Sequence, residues 1–407
     1  MPGLDTGNTA FMLLCASLVM LMTPGLAFFY GGLVGRRNVL AIMMQSFVSM
    51  GWTTVIWFTV GYSLCFSGGA GGVIGDLNKA FLNGVTLDSP AALNTSVPEL
   101  VFVVYQMMFA IITPALITGA FANRVSFKAY FLFLTAWLLF VYFPFVHMVW
   151  GGGLLQTWGV LDFAGGIVVH NIAGIAALAS VLYVGRRRIA DNVPHSVPLV
   201  ALGTGLLWFG WYGFNAGSEF RVDATTAVAF INTDVAASFA AIAWLFTAWI
   251  FQKRPSFIGL LTGAVAGLAT VTPAAGYVSP IAAVIIGIVS GVVCYGAVAL
   301  KNRLKWDDAL DVWGVHGVGG FLGIVMLGLL ATTAFNPNGT NGLLAGNPDF
   351  FFKEVAAVVA SSIYAFVFTY GMLWLIDRVT KVRVDEQTED TGLDSAQLGE
   401  EAYVGAF

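Results

Sequence analysis

The amino-acid sequence predicts an all-α integral membrane protein with eleven transmembrane helices, and three observations lead to this fold class. Of its 407 residues, 58% are hydrophobic and only 10% are charged, whereas roughly 25% are charged in a typical soluble domain. Eleven apolar runs approach the length of about 20 residues that a helix needs to cross a bilayer. The basic residues also cluster in alternate loops between these runs.

The predicted spans follow one another along almost the whole chain. They cover residues 9–33, 39–66, 99–122, 127–149, 162–184, 198–217, 226–251, 257–274, 280–300, 312–333 and 351–377. No Lys or Arg precedes Arg36, so the N-terminus lacks the positive region of a signal peptide, and we expect the first span to be retained.

The distribution of basic residues predicts the orientation of the bundle. One set of alternate loops carries all of the 18 Lys and Arg residues except Lys79, Arg221 and Lys353. Because positive loops mark the cytoplasmic side, we expect the N-terminus outside and the C-terminus inside, which requires an odd number of spans. The sequence thus divides into a transmembrane bundle over 1–383 and an acidic, polar cytoplasmic tail over 384–407. The tail is either solvated or a docking segment.

An internal repeat indicates where a site lies. Spans 1 and 6 both carry aromatic and glycine clusters, and spans 5 and 10 both carry an acid followed by a histidine, Asp162 with His170 and Asp311 with His316. Since five spans is an odd number, spans 1–5 and 6–10 are predicted to be inverted halves, with the last span outside the repeat. Transporters built from inverted repeats bind their substrates near the midplane.

His170 and His316 are the first candidate functional residues, because ionisable groups inside membrane spans are costly. Each histidine could simply be satisfied by backbone carbonyls. Their equivalent positions in the two halves favour a symmetry-related pair, which could hydrogen-bond a small neutral solute or relay a proton. For His147 and His195 we expect structural or solvated roles.

Asp162 has two possible roles. As the first residue of an apolar helix, it could cap the free amide groups of the first turn. It lies at the predicted external end, where it could also attract a cation. Asp307, Asp308 and Asp311 lie at the internal end of span 10, and we interpret them as structural.

Aromatic residues at external helix ends form the third candidate group. Trp150, Phe109 and Phe214 could be ordinary packing residues, or they could cage a small cation, to which a ring face contributes about 0.5–2 kcal/mol. The hydroxyl of Ser218 could accept a hydrogen bond from the same cation. We expect no metal site, no cofactor and no enzymatic activity, because the histidines have no neighbouring nucleophile or metal-ligand cluster in the sequence.

These features favour a cation that can lose a proton. A metal ion would lose several kcal/mol of hydration energy in an apolar passage, whereas a cation that sheds a proton crosses in its neutral form. Ammonium is the smallest such solute.

The sequence resembles the ammonium transporter family (Amt/Mep/Rh), on the bacterial and archaeal Amt side, over almost its whole length. The resemblance is carried by seven segments: 28–32 (FFYGG), 105–110 (YQMMFA), 147–153 (HMVWGGG), 162–170 (DFAGGIVVH), 209–218 (FGWYGFNAGS), 272–277 (TPAAGY) and 311–317 (DVWGVHG). Departures are mild: Asn123 stands where Glu is expected, and Met107 and Met108 occupy positions that are often small.

The resemblance implies a homotrimer of eleven-helix subunits in the cell (cytoplasmic) membrane, each with its own pore. It implies ammonium recruitment by Trp150, Phe109, Ser218 and Asp162, a gate of Phe109 and Phe214, a proton-relaying pair of His170 and His316, and Trp211 in the pore wall. It also implies a tail that communicates between subunits and, in many members, a PII signalling protein that blocks the cytoplasmic mouths. No nucleic-acid partner is expected.

The predicted function is therefore ammonium transport, in which ammonium is deprotonated and ammonia is conducted. The net event is either ammonia movement alone or, as we favour, ammonia with a proton relayed along the histidines. The alternative is an ammonium sensor that conducts little and signals to a cytoplasmic partner.

Overall fold

The computed structural model describes residues 3–69, 71–189 and 193–403, which are helical over most of their length and include no named β-strand. Within these described residues, ten helices are long and apolar enough to cross a membrane, and an eleventh apolar helix, α8, is shorter. In chain order they are α1 (Thr6–Leu33), α2 (Arg36–Phe66), α3 (Glu99–Ile117), α4 (Phe127–Trp158), α5 (Gly166–Val184), α6 (Val197–Glu219), α7 (Ala224–Gln252), α8 (Phe257–Val271), α9 (Pro280–Leu304), α10 (Trp313–Leu330) and α11 (Pro348–Val379).

The all-helical, multi-pass architecture is confirmed, but several predicted boundaries are wrong by three or more residues; two of them lie near the candidate site or its helices. Helix α5 begins at Gly166 rather than at residue 162, and α3 ends at Ile117 rather than at 122. Helix α8 has 15 residues, a length of about 22 Å against a hydrocarbon core of about 30 Å. The count of eleven spans and the orientation of the termini stay predictions.

The helix packing is consistent with two related halves. Helix α1 lies along α6, and the start of α5 packs against the start of α10, so equivalent helices of the two halves contact each other. Helices α7, α8 and α9 pack together, while α11 covers α5 and α10. The midplane of the bundle is therefore built around the α5–α10 contact.

Four of the helices contain π turns, in which the hydrogen bonds reach one residue further than in an α-helix. They cover Trp57–Gly61 in α2, Leu138–Tyr142 in α4, Gly166–Asn171 in α5 and Trp313–Gly317 in α10. Such turns are rare and frequently mark functional sites. Both candidate histidines lie in π turns, one in each half.

The C-terminal tail docks onto the predicted cytoplasmic face of the bundle. After a short helix α12 (Glu386–Thr391), the carboxylate of Asp394 accepts hydrogen bonds from the backbone amides of Leu40 and Ala41, at 3.0 and 2.8 Å. The Phe127 amide donates to Gln397 Oε1 at 2.7 Å. Of the two possibilities left by the sequence, the structure therefore has a docked segment, while its regulatory role stays a prediction.

Candidate functional site

Asp162 organises the entrance to α5. Its Oδ1 accepts hydrogen bonds from the amides of Gly165 and Gly166, and its Oδ2 accepts them from Ile167 and Val168, at 2.6–3.2 Å. This is the geometry of a helix cap, in which a carboxylate satisfies free amides at the positive end of the helix dipole. The Asp162 carbonyl also accepts the indole N–H of Trp150 at 2.8 Å, so one residue positions both the helix and an aromatic of the entrance.

The corresponding cap of α10 is Asp308, not Asp311 as the sequence interpretation paired it. Asp308 accepts hydrogen bonds from the amides of Val312 and Trp313, at 3.1 and 2.8 Å. Asp311 instead has φ +60° and forms an ion pair with Lys301 at 2.5 Å. The physical reason is that a cap must stand before the first turn. Asp308 precedes its histidine by eight residues, as Asp162 precedes His170.

Two glycines let the paired helices approach closely. Gly174 and Gly320 each follow one of the two candidate histidines by four residues. A Cβ atom on Gly174 would lie 1.9 Å from the Gly317 nitrogen, and a Cβ on Gly320 would lie 2.6 Å from the Asn171 nitrogen. Each glycine thus faces the residue that follows the other half's histidine, as expected of an approximate twofold arrangement.

The close approach brings the two histidines into contact. His170 Nδ1 and His316 Nδ1 are 3.2 Å apart, and the rings are 22° from parallel, with centroids 5.2 Å apart. Both side chains are buried, at 1% and 4% exposure. At this distance one Nδ1 donates and the other accepts, so the two imidazoles share a single hydrogen between these atoms. His170 Nε2 has no hydrogen-bond partner among the described residues.

Aromatic rings cover the histidine pair on one side. The Trp211 and Phe214 rings lie 5.4 and 6.0 Å from the His170 ring, and the Trp211 indole is fixed by a 2.9 Å hydrogen bond to Thr272. Phe214 in turn packs against Phe109, with ring centroids 4.3 Å apart and ring planes tilted by 35°. The route from the histidines towards the predicted external side is therefore closed by two phenylalanine rings.

An open cavity of about 220 Å³ lies beyond these rings, and we call it the vestibule. Trp150 stands edge-on to Phe109, with ring centroids 6.0 Å apart. The Ser218 hydroxyl donates to the Phe214 carbonyl at 2.9 Å, and its oxygen lies 3.3 Å from the Tyr105 hydroxyl. Because a hydroxyl oxygen has two lone pairs, it can still accept a further hydrogen bond. The lining includes all four predicted recruitment residues, Phe109, Trp150, Asp162 and Ser218.

Two further cavities continue the path on the other side of the rings. A small one of about 20 Å³ touches Phe214, Trp211, His170 and His316, and a larger one of about 650 Å³ extends from His316 to Lys301 and Asp307. A cavity needs roughly 10–15 Å³ to hold one water molecule. The histidine cavity therefore accommodates a solute of about that size.

The structure thus places every predicted site residue along one path. His147 and His195 lie apart from it: His147 Nδ1 contacts the Cys65 carbonyl at 3.0 Å, and His195 contacts the Val34 carbonyl and Tyr403. Within residues 3–69, 71–189 and 193–403, no group of three or more His, Cys, Asp or Glu side chains is arranged to hold a metal ion.

Sequence reasoning missed several polar groups of the vestibule. Gln106, Glu219, Tyr277 and Asn336 line it together with the predicted residues. Glu219 directly follows Ser218, so its position in the chain was a usable signal. Gln106 precedes Phe109 by three residues and lies on the same face of α3, since residues three apart are neighbours on a helix.

Comparison with known protein sequences identifies the family to which this chain is similar. Residues 10–403 match the model of the Ammonium Transporter Family. The chain is 43% identical to an ammonium transporter of Bacillus subtilis over 402 residues, covering 98% of this chain and 99% of that protein.

Solved structures have the same fold. The crystal structure of Candida albicans Mep2 matches with a TM-score of 0.89 and 36% identity, over 98% of this chain and 91% of that one. A structure described as a sensor Amt protein matches with a TM-score of 0.87 and 29% identity, over 96% of this chain and 98% of that one. With a family match over nearly its whole length, this chain belongs to the ammonium transporter family.

Proposed function

We propose that this protein transports ammonium across the cell membrane by recruiting it in the vestibule, deprotonating it and conducting ammonia past the histidine pair. The observation that carries the proposal is the 3.2 Å contact between His170 and His316 next to a cavity of about 20 Å³. A closed aromatic barrier above a polar pair selects for a small solute that can change its protonation state.

Recruitment uses the groups around the vestibule. The ring faces of Trp150 and Phe109 provide cation–π attraction of about 0.5–2 kcal/mol, depending on how far the cation is desolvated. Ser218 supplies an oxygen that accepts one N–H of the cation. Asp162 acts mainly by holding Trp150 in place, because its carboxylate oxygens already accept four backbone amides.

The phenylalanine gate discriminates against ions that keep their charge. Phe109 and Phe214 pack at 4.3 Å between centroids, which leaves no room for a hydration shell. A potassium or sodium ion would have to be stripped of water at a cost of several kcal/mol or more. Ammonia passes as a neutral molecule, and selectivity therefore comes from acid–base chemistry rather than from pore diameter.

The histidine pair offers both a donor and an acceptor to what passes. When both rings are neutral and share one hydrogen between the Nδ1 atoms, one Nε2 carries a hydrogen and the other carries a lone pair. A proton can therefore move along the pair while ammonia moves beside it. We propose that the net event is electrogenic.

Assembly and partners complete the proposal. We propose a homotrimer in the cytoplasmic membrane, with one pore per subunit and the docked tail on the inner face. The cavity of about 650 Å³ would be the inner mouth of each pore, and a PII signalling protein would block it there.

Charge movement in proteoliposomes tests the function. After an ammonium concentration jump, we expect a transient current in the wild type and none after an equal potassium jump. His170→Ala should lose the ammonium current or admit potassium, because the relay and the polar lining are removed. His195→Ala is the matched control, since it removes a histidine that lies outside the pore path.

The remaining outcomes are equally informative. Internal alkalinisation without a current would mean that ammonia moves alone, and the electrogenic mechanism would be wrong. Saturable ammonium binding without either current or alkalinisation, lost in Trp150→Ala, would favour a sensor such as the structurally similar sensor Amt protein.

A further inference from the structure

We propose that Glu219, together with Gln106, forms an outer cation-binding position in the vestibule, ahead of the phenylalanine gate. The position would take a small monovalent cation that donates hydrogen bonds. This inference rests on the proposed ammonium transport, and it assigns the first capture of the substrate to a carboxylate rather than to the aromatic rings alone.

Glu219 is a nearly buried carboxylate on the cavity wall. It lies at the end of α6, its side chain is only 9% exposed, and it lines the same cavity as Trp150, Phe109 and Ser218. Arg221 also lines the vestibule, with Nε 3.3 Å from Oε1 of Glu219, and its side chain is 43% exposed. Part of the arginine charge therefore faces water and is screened.

The local charge balance favours a cation. Segment 219–223 carries two carboxylates, on Glu219 and Asp223, and one guanidinium, on Arg221, so its formal net charge is −1. The Asp223 carboxyl interacts with that of Glu219, and Arg221 Nε lies 3.8 Å from Asp223. A cation beside Glu219 would relieve the repulsion between the two carboxylates, because one arginine cannot neutralise both.

Gln106 provides a second and independent sign of a ligand. Its side chain is 3% exposed and lines the vestibule, and its Oε1 has no hydrogen-bond partner among the described residues. A buried acceptor without a partner costs roughly 1–3 kcal/mol, so such an atom in a cavity wall indicates a place where a donor binds. Ammonium has four N–H donors, and a carboxylate, an amide oxygen and the Ser218 hydroxyl would satisfy three of them.

A carboxylate in this position has a specific kinetic consequence. It raises the local concentration of the cation before the step in which the proton is lost, so it affects capture more than the maximal rate. Its effect also decreases with salt, since the Debye length shortens from about 30 Å at 0.01 M to about 10 Å at 0.1 M.

Uptake of radiolabelled methylammonium by intact cells tests the inference, in a host strain without its own ammonium transporter. We expect Glu219→Gln to raise the half-saturation concentration about five-fold at about 10 mM ionic strength and less than two-fold at about 300 mM. The maximal rate should stay near the wild-type value. Glu219→Asp, which keeps the charge, should recover most of the affinity. Asp88→Asn is the matched control, because Asp88 is an exposed acid of the predicted external loop and does not line the vestibule.

Equal half-saturation concentrations for the wild type and Glu219→Gln at low salt would overturn the inference. So would a wild-type half-saturation concentration that does not change with salt, and this measurement needs no variant. If no methylammonium enters wild-type cells, the transport proposal fails instead. In that case, binding of methylammonium to the purified protein, followed by tryptophan fluorescence, tests the role of Glu219 without transport. Equal affinities of the wild type and Glu219→Gln for methylammonium would contradict that role.

Discussion

Two segments of the same design meet at the centre of this protein, 162–174 in one half and 308–320 in the other. Each begins with a capping aspartate, reaches a histidine after eight residues and continues to a glycine after four more. The segments are nevertheless unequal. The Asp162 carboxylate accepts hydrogen bonds from four backbone amides, whereas the Asp308 carboxylate accepts them from two.

The inequality corresponds to the two ends of the proposed pore. The Asp162 segment supports Trp150 and the narrow vestibule, while the Asp308 segment borders a cavity about three times larger. An entrance that selects its substrate needs fixed geometry, whereas an exit needs only to be open. The symmetric contact supplies the histidine pair, and the departures from symmetry distinguish entrance from exit.

The largest expected effect comes from filling the contact between the segments. Gly174→Ala would place a methyl group 1.9 Å from the backbone of Gly317, which cannot move without separating α5 from α10. We expect ammonium transport to fall at least ten-fold, as the distance between His170 and His316 grows. Ammonium-induced current per mole of purified protein measures the effect. Gly205→Ala is the control, because a Cβ there meets no atom within 4 Å.

Gly320→Ala tests the symmetry of the contact. Its added methyl group meets the Asn171 nitrogen at 2.6 Å, a milder collision. Transport should therefore decrease less than in Gly174→Ala, and equal activity of all three glycine variants would contradict the close-packing argument.

Removing the two capping aspartates should destabilise the protein by different amounts. Asp162→Ala would leave four amides without their acceptor and Asp308→Ala would leave two, at roughly 1 kcal/mol for each amide, the low end of the cost of an unpaired buried donor. We expect losses of about 3–4 and about 1–2 kcal/mol, measured as the shift in thermal unfolding of the detergent-solubilised protein. A larger loss in Asp308→Ala would show that the ion pairs nearby, and not the amides, dominate.

The residue before each capping aspartate, Leu161 in one segment and Asp307 in the other, makes the stability of the two segments respond differently to pH. On one side Leu161 donates its amide to Glu354, and on the other Asp307 binds Arg124 and Arg187 at 2.7 and 2.6 Å. Burial raises the pKa of Asp307, but the hydrogen bonds from Arg187 and the charge of Arg124 outweigh it and lower the pKa to about 2.

This lowered pKa makes the Asp307 cluster sensitive to acid. An unfolded Asp titrates near pH 3.9, so the stabilisation is fully present above about pH 4 and is lost as the pH falls towards 2. The shift corresponds to about 2–3 kcal/mol. We expect Asp307→Asn to unfold at a lower temperature than the wild type at pH 7, with the gap narrowing between about pH 4 and pH 2. A gap that stays constant with pH would contradict this origin of the stability.

The sequence predicted most features that depend on the periodicity of apolar residues and on the chemical type of single residues. Apolar runs located the helices. The free-energy cost of an ionisable group inside a membrane span identified His170 and His316 as candidates. The pairing of Asp311 with His316 was wrong, although counting eight residues back from each histidine would have found Asp308. The π turns were not predictable, because a one-residue change in hydrogen bonding leaves the apolar pattern almost unchanged.

Tertiary contacts explain what else the sequence could not provide. The position of Glu219 next to Ser218 was a usable signal, but only the fold places its side chain in the same cavity as Trp150. Asp394 became a helix cap only through a contact with Leu40 and Ala41, more than 350 residues earlier in the chain. Such pairings depend on the three-dimensional arrangement of helix ends rather than on local composition.

The smallest predicted effect concerns the residue after each histidine, which is Asn171 in one half and Gly317 in the other. Asn171 is joined to α11: its Nδ2 donates to Ser362 at 3.0 Å, and Ser361 donates to its Oδ1 at 3.0 Å. Since Gly317 has no side chain, α11 cannot stabilise the second segment in this way. We expect Asn171→Ala to lower the free energy of unfolding by about 1–2 kcal/mol.

A double-mutant cycle with Ser361→Ala should give a coupling energy of at least 0.5 kcal/mol, as for residues that share a hydrogen bond. Ser17→Ala is the control, because Ser17 is exposed and bonds only within its own helix. Strict additivity of Asn171→Ala and Ser361→Ala would mean that the α11 contact contributes nothing to the difference between the two halves.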